Sequence, residues 1–363
     1  MSSSASGITL ADLGEFPLIA QLHRDLSRHP ATSAVGVVEL AIGDDAALLR
    51  LPPDSSCVVT SDALVEGVHF RRDWSKPLEL GWKALAVNIS DLDAMGARPV
   101  GATVTLALPP DTSPTWVRAL YRGLHECGER YGCPIVGGDT VRSPSLVHLS
   151  ITAFGAVPQG TAVQRSGARS GDLVCVTGVV GESAAGLAAL DRLGRTAAVR
   201  RWPDLVAWHL RPEPPSPAVA LLADGGLATA MLDLSDGLAS DLRHLSSRST
   251  CRITVETERL PISDGARRCA VELGLSPVGF ALHGGEDYQL CFTTSPERFS
   301  EIPPLLASVG QTATIIGRVS TGRDVYLVVD EGRPERLVPG GFTHFGVAPA
   351  SEPSSAADRK SVV

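Results

Sequence analysis

The stretch PLELGWKALAVNISDLDAMGA, residues 77–97, is followed closely by GATVTLALP, residues 101–109. In the first stretch Leu78, Trp82 and Leu85 recur at the spacing of one helical face, which predicts a helix with Trp82 in the core. The second stretch is rich in Val, Thr and Leu, which predicts a strand. A helix joined to a strand by so few residues is typical of α/β and α+β domains.

The alternation continues on both sides of this pair. The run SSCVVTSDALV (55–65) predicts a strand before it. Residues 112–132 predict a helix that begins at Thr112 or Ser113, with Pro114 in its first turn. Two more strands are predicted at residues 133–140 and 146–157. The first half of the chain is therefore expected to form a sheet-and-helix domain.

A polar, glycine-rich segment, RSGARSGDLVCVTG (165–178), opens the second half and then becomes a predicted strand. We place a domain boundary just before it, near Pro158, because 363 residues exceed the usual size of one core. The predicted parts are a disordered N-terminus (1–10), an N-terminal domain (11–157), a C-terminal domain (158–347) and a disordered Ser-rich tail (348–363).

Short apolar runs predict the elements of the second domain. Helices are predicted at residues 181–194, 216–224 and after Ser235, and strands at 229–234, 253–260, 289–294, 313–319 and 325–330. Five prolines occur in RRWPDLVAWHLRPEPPSP (200–217), which is predicted to be an irregular connection. The fold class expected for the whole chain is α/β (α+β).

Charge and composition narrow the class of protein. A net charge of −8 argues against a nucleic-acid or anionic-membrane partner, unless metal ions lie between the protein and a polyanion. No secretory signal opens the sequence, and no run approaches the roughly 18–20 apolar residues of a membrane span. Seven cysteines without a CxxC pair are typical of reduced thiols, so a soluble cytoplasmic protein is expected.

Acidic residues recur where predicted strands end, each time beside Gly or Ser. The six segments are IGDD (42–45), TSD (60–62), NISDLD (88–93), VGGDT (136–140), LDLSDG (232–237) and HGGED (283–287). Any one of them is explained by helix capping or a turn, including the adjacent pair Asp44–Asp45. Six in one chain favour a shared ligand, because gathered carboxylates repel one another unless divalent cations hold them. Such oxygen-rich sites suit Mg²⁺ bridged to phosphates.

The glycine pairs in VGGDT and HGGED allow backbone N–H groups to approach phosphate oxygens closely. The sequence has neither a GxxxxGK[ST] loop nor a GxGxxG turn after a strand, and it lacks the protein-kinase motifs. Mg²⁺, phosphate-binding glycines and a few basic residues suffice for phosphoryl transfer, which needs mainly positioning and charge neutralisation.

These segments, in this order, resemble the thiamine-monophosphate kinase family, within the superfamily of aminoimidazole ribonucleotide synthetase and selenophosphate synthetase. The matching stretches are GEFPLIAQL, IGDDAALL, TSDALVEGVHF, KALAVNISDLDAMGARP, GGDT, RSGARSGDLVCVTG, GESAAGLAAL, HLRP, LDLSDGLASDL, HGGEDYQLCF and GGFTHF. The combination of GVHF, LSDGLASDL and GGEDY is specific to this kinase family within the superfamily.

The resemblance implies a two-domain fold of the aminoimidazole-ribonucleotide-synthetase type and a homodimer joined through the N-terminal sheets. It implies that ATP phosphorylates thiamine monophosphate directly, giving thiamine diphosphate, with several Mg²⁺ ions and no phosphoenzyme.

Matched position by position, the family's metal ligands fall on Asp45, Thr60, Ser61, Asp62, Asp91, Asp139, Asp233 and Asp236. The ATP-binding positions fall on Tyr121, Gly138, Asp139, Arg165 and Ser235. The substrate-binding positions fall on His69, Glu286 and Phe342. Of these residues, we expect Asp62, Asp139 and Asp236 to be the most critical for transfer. Asp44, Arg211, His148, His209 and His244 are assigned no role.

Two other functions remain open from the sequence. One is another ATP-dependent enzyme of the superfamily. A selenophosphate synthetase is expected to have a reactive cysteine in its N-terminal segment, and MSSSASGITL (1–10) has none. The second is a Mg²⁺- and nucleotide-binding regulator without turnover, which the full set of carboxylates disfavours.

Overall fold

Strands and helices alternate in two successive groups, as predicted. The computed structural model describes residues 8–28, 30, 32–330, 332–338 and 340. The helices of the first group are α1 (Leu10–Leu13), α2 (Glu15–Arg28), α3 (Pro77–Ala94) and α4 (Pro114–Tyr131). Its strands are β1 (Val37–Leu40), β2 (Leu48–Arg50), β3 (Ser55–Val65), β4 (Arg98–Leu108), β5 (Ile135–Arg142) and β6 (His148–Pro158).

The second group begins after Pro158. Its helices are α5 (Glu182–Arg201), α6 (Pro203–Leu210), α7 (Ser216–Asp224), α8 (Leu238–Ser249), α9 (Asp264–Leu273), α10 (Pro277–His283), α11 (Pro296–Phe299) and α12 (Ile302–Ala307), with a 3₁₀ turn at Thr257–Arg259. Its strands are β7 (Leu173–Thr177), β8 (Ala230–Asp233), β9 (Arg252–Glu256), β10 (Leu290–Thr294), β11 (Ala313–Ser320), β12 (Val325–Val328) and β13 (Glu335–Arg336).

The first group forms a four-stranded sheet in the order β3-β6-β4-β5. β3 pairs with β6 in antiparallel register from Ser55 opposite Pro158 to Val65 opposite His148, and β4 pairs with β5 in parallel. One face of this sheet packs with α3 and α4 into a core that includes Ile89, Val104 and Leu120. A short two-stranded hairpin, β1-β2, is separate from it.

The start of α4 confirms the predicted N-terminal signal. Ser113 is the N-cap, its hydroxyl accepts a hydrogen bond from the Thr115 N–H at 3.2 Å, and Pro114 occupies the first turn. Gly132 ends the helix in the left-handed conformation. Capping and the position of proline are local properties of the chain, and they were therefore visible in the sequence.

The second group forms a seven-stranded sheet in the order β13-β12-β9-β11-β7-β10-β8. β7 is buried on both faces: Val174 and Val176 lie in one hydrophobic core, and Leu173 and Cys175 lie in another. The two cores place this sheet between layers of helices. The mixed strands and helices confirm the predicted α/β (α+β) class.

The prediction of an irregular connection at residues 200–217 was wrong in part. Residues Pro203–Leu210 form the helix α6, with Pro203 in its first turn. A proline is compatible with that position because its missing N–H has no partner within the helix. Leu205 and Leu210 are buried in the core of the second sheet, so tertiary packing stabilises a helix that the prolines obscured.

Helix α3 joins the two groups, and most of its residues are buried. The Trp82 Nε1 donates to the Pro212 carbonyl at 2.8 Å, and Trp82 is only 5% exposed, as predicted for a core residue. At its other end the Ser216 hydroxyl donates to Asp93 at 2.6 Å. The guanidinium of Arg211 lies 4.2 Å from the Trp82 ring centroid. Arg211, which had no assigned role, therefore connects the two halves.

Two glycines allow α3 and α4 to touch backbone to backbone. A Cβ on Gly123 would lie 1.9 Å from the Leu78 carbonyl oxygen, and one on Gly81 would lie 2.0 Å from the Leu120 carbonyl oxygen.

We expect Gly123→Ala to force the helices apart and to lower the free energy of unfolding by roughly 2–4 kcal/mol, measured by urea denaturation. Gly265→Ala in α9 is the control. Its Cβ would meet only ordinary contacts at 3.5 Å or more, so it is expected to be neutral or stabilising. Equal stability of the two variants would contradict the close-packing argument.

The domain boundary remains a proposal near Pro158, where β6 ends, because the next strand, β7, belongs to the other sheet. Of the predicted disordered ends, only residues 8–10 are described, and Thr9 there caps α1. Among the helices of the described residues, none has the length and apolar character needed to cross a membrane.

Candidate active site

The predicted metal ligands of the first domain meet where β3 lies along α3. The Thr60 hydroxyl donates a hydrogen bond to the Asp91 carboxylate. The Asp62 N–H donates to Asn88 Oδ1 at 3.2 Å, which fixes this part of β3 against the helix. Alternation along the strand places Thr60 and Asp62 on the same face, toward α3.

Two carboxylates of the second domain approach from β8 and the turn that follows it. Asp233 ends β8, is 3% exposed and accepts a hydrogen bond from the Ser90 hydroxyl of α3 at 2.8 Å. Asp236 is close enough for its charge to raise the pKa of Asp62. Four acidic residues from three separate segments, namely β3, α3 and the end of β8 with its turn, therefore converge between the domains.

Burial and mutual repulsion make this cluster hard to ionise fully. Burial, followed by the charges of Asp91 and Asp236, raises the pKa of Asp62 to about 6. Burial and the charge of Asp91 likewise raise the pKa of Asp233 to about 7. These values describe the chain without a cation, and the shared cause is the closeness of like charges in a desolvated place.

Arg165 supplies a positive charge to the same place. Its charge favours the ionised forms of Asp91 and Asp233, lowering the pKa of each against the effect of burial. Its side chain is exposed, and its carbonyl accepts a hydrogen bond from the Ser249 hydroxyl at 3.0 Å. An exposed guanidinium beside a carboxylate cluster is suited to polyphosphate oxygens.

The turn that contains Ser235 is held against the segment that contains Glu286. The Glu286 N–H donates to the Ser235 carbonyl at 2.8 Å, and the Tyr288 N–H donates to the Leu234 carbonyl at 2.9 Å. Gly285 is required there because its φ is +67° and a Cβ would lie 2.6 Å from the Ser235 oxygen. The sequence motifs LDLSDG and HGGED thus form one structure.

Glu286 and His69, two predicted substrate residues, also lie near each other. The two side chains are close enough to interact electrostatically. The His69 Nδ1 accepts a hydrogen bond from the Val65 N–H at 3.0 Å, so the residue also completes the end of β3. Phe342, the third predicted substrate residue, lies outside the described residues.

Other predicted residues are not shown in contact with the central carboxylates. Ser61 and Asp139 are exposed, and strand alternation places Ser61 on the sheet face opposite Asp62. Tyr121 is buried, and its hydroxyl bonds to Thr140. Gly138 has a structural reason for being glycine, because a Cβ would lie 2.0 Å from the Val104 oxygen.

The adjacent pair Asp44–Asp45, from the first of the six acidic segments, is exposed in the β1-β2 hairpin. The Asp45 N–H donates to Asp44 Oδ1 at 2.9 Å, which is the contact expected of a turn. Across the part of the chain that the structure describes, no three His, Cys, Asp or Glu side chains form a preassembled set of metal ligands, so Asp62, Asp91, Asp233 and Asp236 share one region without a closed ligand shell.

Three residues beside the site were missed from the sequence. Lys83 on α3 forms an ion pair with Glu286, and His209 on α6 contacts the same carboxylate. Asp241 in the first turn of α8 is 4% exposed, and burial together with Asp233 and Asp236 raises its pKa well above the usual range. Lys83 and Asp241 lie within the quoted motifs, KALAVNISDLDAMGARP and LDLSDGLASDL, but nothing local indicated their partners.

Family models and known proteins match this chain across both domains. The family model for the N-terminal domain of AIR synthase related protein matches residues 43–157, and the model for the C-terminal domain matches residues 169–330. The chain is 40% identical over 333 residues to a curated thiamine-monophosphate kinase of Escherichia coli strain K12, covering 92% of this chain and 98% of the relative. It is also 40% identical over 287 residues to that of Mycobacterium tuberculosis, covering 78% of this chain and 82% of the relative.

This chain belongs to the thiamine-monophosphate kinase family. A solved thiamine-monophosphate kinase from Stenotrophomonas maltophilia superposes with a TM-score of 0.75 at 36% identity, covering 88% of this chain and 97% of that one. A second structure, of AaThiL complexed with AMPPCP and TMP, superposes with a TM-score of 0.70 at 35% identity, covering 95% and 100%. The hydrogenase maturation protein HypE shares the fold alone, at 18% identity and a TM-score of 0.64. The predicted fold and family are thereby confirmed.

Proposed function

We propose that this protein, an enzyme of the thiamine-monophosphate kinase family, transfers the γ-phosphoryl group of ATP to thiamine monophosphate. The observation that carries the proposal is the convergence of Asp62, Asp91, Asp233 and Asp236 beside the joined Ser235 and Glu286 segments. The AaThiL relative binds AMPPCP, an ATP analogue, together with TMP, which supports this pair of substrates.

The reaction is a direct in-line displacement. A terminal phosphate oxygen of thiamine monophosphate attacks the γ-phosphorus, a new P–O bond forms, and the bond to the β–γ bridging oxygen breaks. ADP leaves with that electron pair, and thiamine diphosphate is the second product. No phosphoenzyme is needed, because the transition state requires alignment and charge neutralisation more than a nucleophilic side chain.

Magnesium is the cofactor that the donor set fits. Carboxylates and the Thr60 hydroxyl are hard oxygen ligands. Burial, together with the charges of neighbouring carboxylates, raises the pKa values of Asp62 and Asp233, and a divalent cation offsets both effects. Thr60, Asp62, Asp91, Asp233 and Asp236 are the residues that we propose would hold Mg²⁺, which neutralises phosphate charge when bound. Asp45, Ser61 and Asp139 stay in the proposal as ligands from the family pattern.

The remaining predicted residues divide between the two substrates. Arg165 neutralises polyphosphate oxygens, and we assign Ser235, Gly138, Asp139 and Tyr121 to the nucleotide. His69, Glu286 and Phe342 are assigned to thiamine monophosphate. Glu286 has an exposed quarter of its side chain and an ionised carboxylate, as a residue that accepts a hydrogen bond from the substrate requires.

The direct test is incubation with ATP, Mg²⁺ and thiamine monophosphate, followed by identification of products by mass. Thiamine diphosphate and ADP are expected in equal amounts. Free thiamine is the control acceptor. Phosphorylation of thiamine but not of its monophosphate would show that the substrate assignment is wrong. Nucleotide binding without any product would instead favour the regulator considered above.

We also propose a homodimer formed through the open face of the four-stranded sheet. Val59 on β3 and Val141 on β5 are 56% and 44% exposed on that face, and Phe154 lies opposite Val59. Apolar side chains exposed on an uncovered sheet face are typical of an interface. Light scattering after gel filtration is expected to give about twice 38.0 kDa. A mass of one chain at micromolar concentration would contradict the dimer.

We also propose that the protein is located in the cytoplasm. All seven cysteines are free thiols, and six of them are buried, as is usual in a reducing compartment. Neither a membrane nor a nucleic acid is proposed as a partner, in keeping with the net charge of −8. Recovery of the enzyme with the membrane fraction of lysed cells would contradict this location.

A further inference from the structure

A buried lysine reaches the substrate side of the cleft from the first domain. Lys83 lies on α3 and is 2% exposed. Its Nζ is 2.7 Å from Glu286 Oε1, in the second domain. A buried ammonium is unfavourable unless it is paired with an opposite charge. Lys83 therefore requires a carboxylate in a fixed position beside it.

A histidine lies beside the other oxygen of Glu286. The His209 Nδ1 lies 3.3 Å from Glu286 Oε2 and 3.0 Å from the Ser183 hydroxyl. Burial, followed by the charge of Lys83, lowers the pKa of His209 to about 3, so the ring is neutral at physiological pH. Lys83 is therefore the full positive charge beside Glu286, and His209 supplies a neutral contact.

The backbone of Glu286 is fixed as firmly as its side chain. Glu286 has a φ of +57°, between Gly285 at +67° and Tyr288 at +49°. Its N–H is bonded to the Ser235 carbonyl at 2.8 Å. Burial opposes ionisation of the Glu286 carboxyl, but the charge of Lys83 and its hydrogen bond favour the carboxylate, and the pKa of Glu286 lies below its usual value.

Helix α3 also connects this ion pair to the carboxylate cluster. Lys83 and Asp91 lie on the same helix, eight residues or about 12 Å apart along its axis. Helix α3 therefore fixes the distance between Asp91, beside which the phosphates are expected to bind, and Lys83, which pairs with Glu286.

We propose that Lys83 is a positioning residue for thiamine monophosphate, acting through Glu286. The ion pair neutralises the Glu286 carboxylate in advance and fixes its direction across the domain cleft. Glu286 then serves as an oriented hydrogen-bond acceptor for the substrate and is not a free counter-ion for its thiazolium charge. This inference rests on the proposed function, because it assumes that Glu286 contacts thiamine monophosphate.

The test compares steady-state constants for Lys83→Met, Lys83→Arg, Glu286→Gln and the double variant Lys83→Met/Glu286→Gln. For Lys83→Met we expect the KM for thiamine monophosphate to rise roughly tenfold to a hundredfold, with the KM for ATP changed by less than about twofold. Lys83→Arg keeps the cation and is expected to recover at least part of this loss. The double variant is expected to match Glu286→Gln within about twofold, because Lys83 acts only through Glu286.

The double variant also guards against misfolding. Glu286→Gln alone leaves a buried lysine unpaired, which is strongly destabilising, whereas the double variant removes both charges. Arg195→Met is the matched control, because Arg195 on α5 also forms an ion pair with α3, with its Nη2 2.7 Å from Glu79 Oε1. We expect it to lower the melting temperature and leave the KM for thiamine monophosphate unchanged.

Two results would overturn the inference. An unchanged KM for thiamine monophosphate in Lys83→Met would remove any positioning role. Losses that multiply in the double variant would show that Lys83 acts on the substrate independently of Glu286. Failure of the proposed function is distinct from both, because it would appear in the wild-type enzyme as no thiamine diphosphate at all.

Discussion

Asp62→Asn is expected to reduce turnover by about a thousandfold or more without unfolding the protein. Asparagine has the same shape as aspartate but lacks the negative charge that holds a divalent cation. The measurement is kcat with ATP, Mg²⁺ and thiamine monophosphate. Nucleotide binding, followed by calorimetry, is expected to weaken far less than turnover falls.

The same substitution is expected to stabilise the metal-free protein. Burial, followed by the charges of Asp91 and Asp236, raises the pKa of Asp62, so a neutral side chain at this position removes both a desolvation cost and a repulsion. A raised melting temperature in EDTA, together with lost activity, would show that the negative charge of Asp62 destabilises the metal-free protein and is needed for turnover. Asp111→Asn is the control, since Asp111 is an exposed residue outside the cluster. Retention of more than about a tenth of wild-type kcat in Asp62→Asn would contradict a central role for Asp62.

The stabilisation of the protein by Mg²⁺ is expected to increase steeply between pH 5 and pH 8. In the folded, metal-free chain the pKa of Asp62 is raised to about 6 and that of Asp233 to about 7. Each pKa is higher in the folded chain than in the unfolded chain. The two carboxyls therefore contribute fully to the stability of the metal-free protein at low pH, and this contribution is lost as the pH rises through about 6 and about 7. Mg²⁺ binds the deprotonated forms, so its affinity is expected to rise roughly a hundredfold or more across this range.

The measurement is the shift in melting temperature on adding Mg²⁺, at each pH. The lowered pKa of His209 changes the stability with pH in the opposite direction to the two carboxyls. That contribution is the same with and without Mg²⁺, so it cancels in the difference between the two melting temperatures. Calorimetric titration in two buffers of different ionisation enthalpy is expected to show proton release near pH 6. Asp62→Asn is expected to flatten the dependence. A Mg²⁺ shift that is the same at pH 5 and pH 8 would contradict the coupling.

Several local elements could be predicted from residues near one another in the chain. The strand β3 was predicted at 55–65 and observed there, because alternation and β-branched content are properties of the segment itself. Ser113 and Pro114 at the start of α4 are a local capping signal of the same kind. The helix α6 was missed because its stability depends on burial against the second sheet, which overrode five nearby prolines.

The candidate site was predictable in its chemistry and only partly in its membership. Carboxylates at strand ends indicated a cation site, and the structure brings Asp62, Asp91, Asp233 and Asp236 together. Asp45 resembles these residues in sequence, yet it lies in an exposed turn. Strand ends and turns have similar local sequences, and only the packing of β3, α3 and β8 distinguishes those that meet.

By itself, the sequence determined the kind of elements, the family and the type of chemistry, because periodicity, capping and motif order are encoded in neighbouring residues. Only the tertiary structure decided that Lys83 pairs with Glu286 and that His209 lies beside them. Those residues are far apart in the chain, and a buried charge becomes favourable only when folding brings its partner within hydrogen-bonding distance.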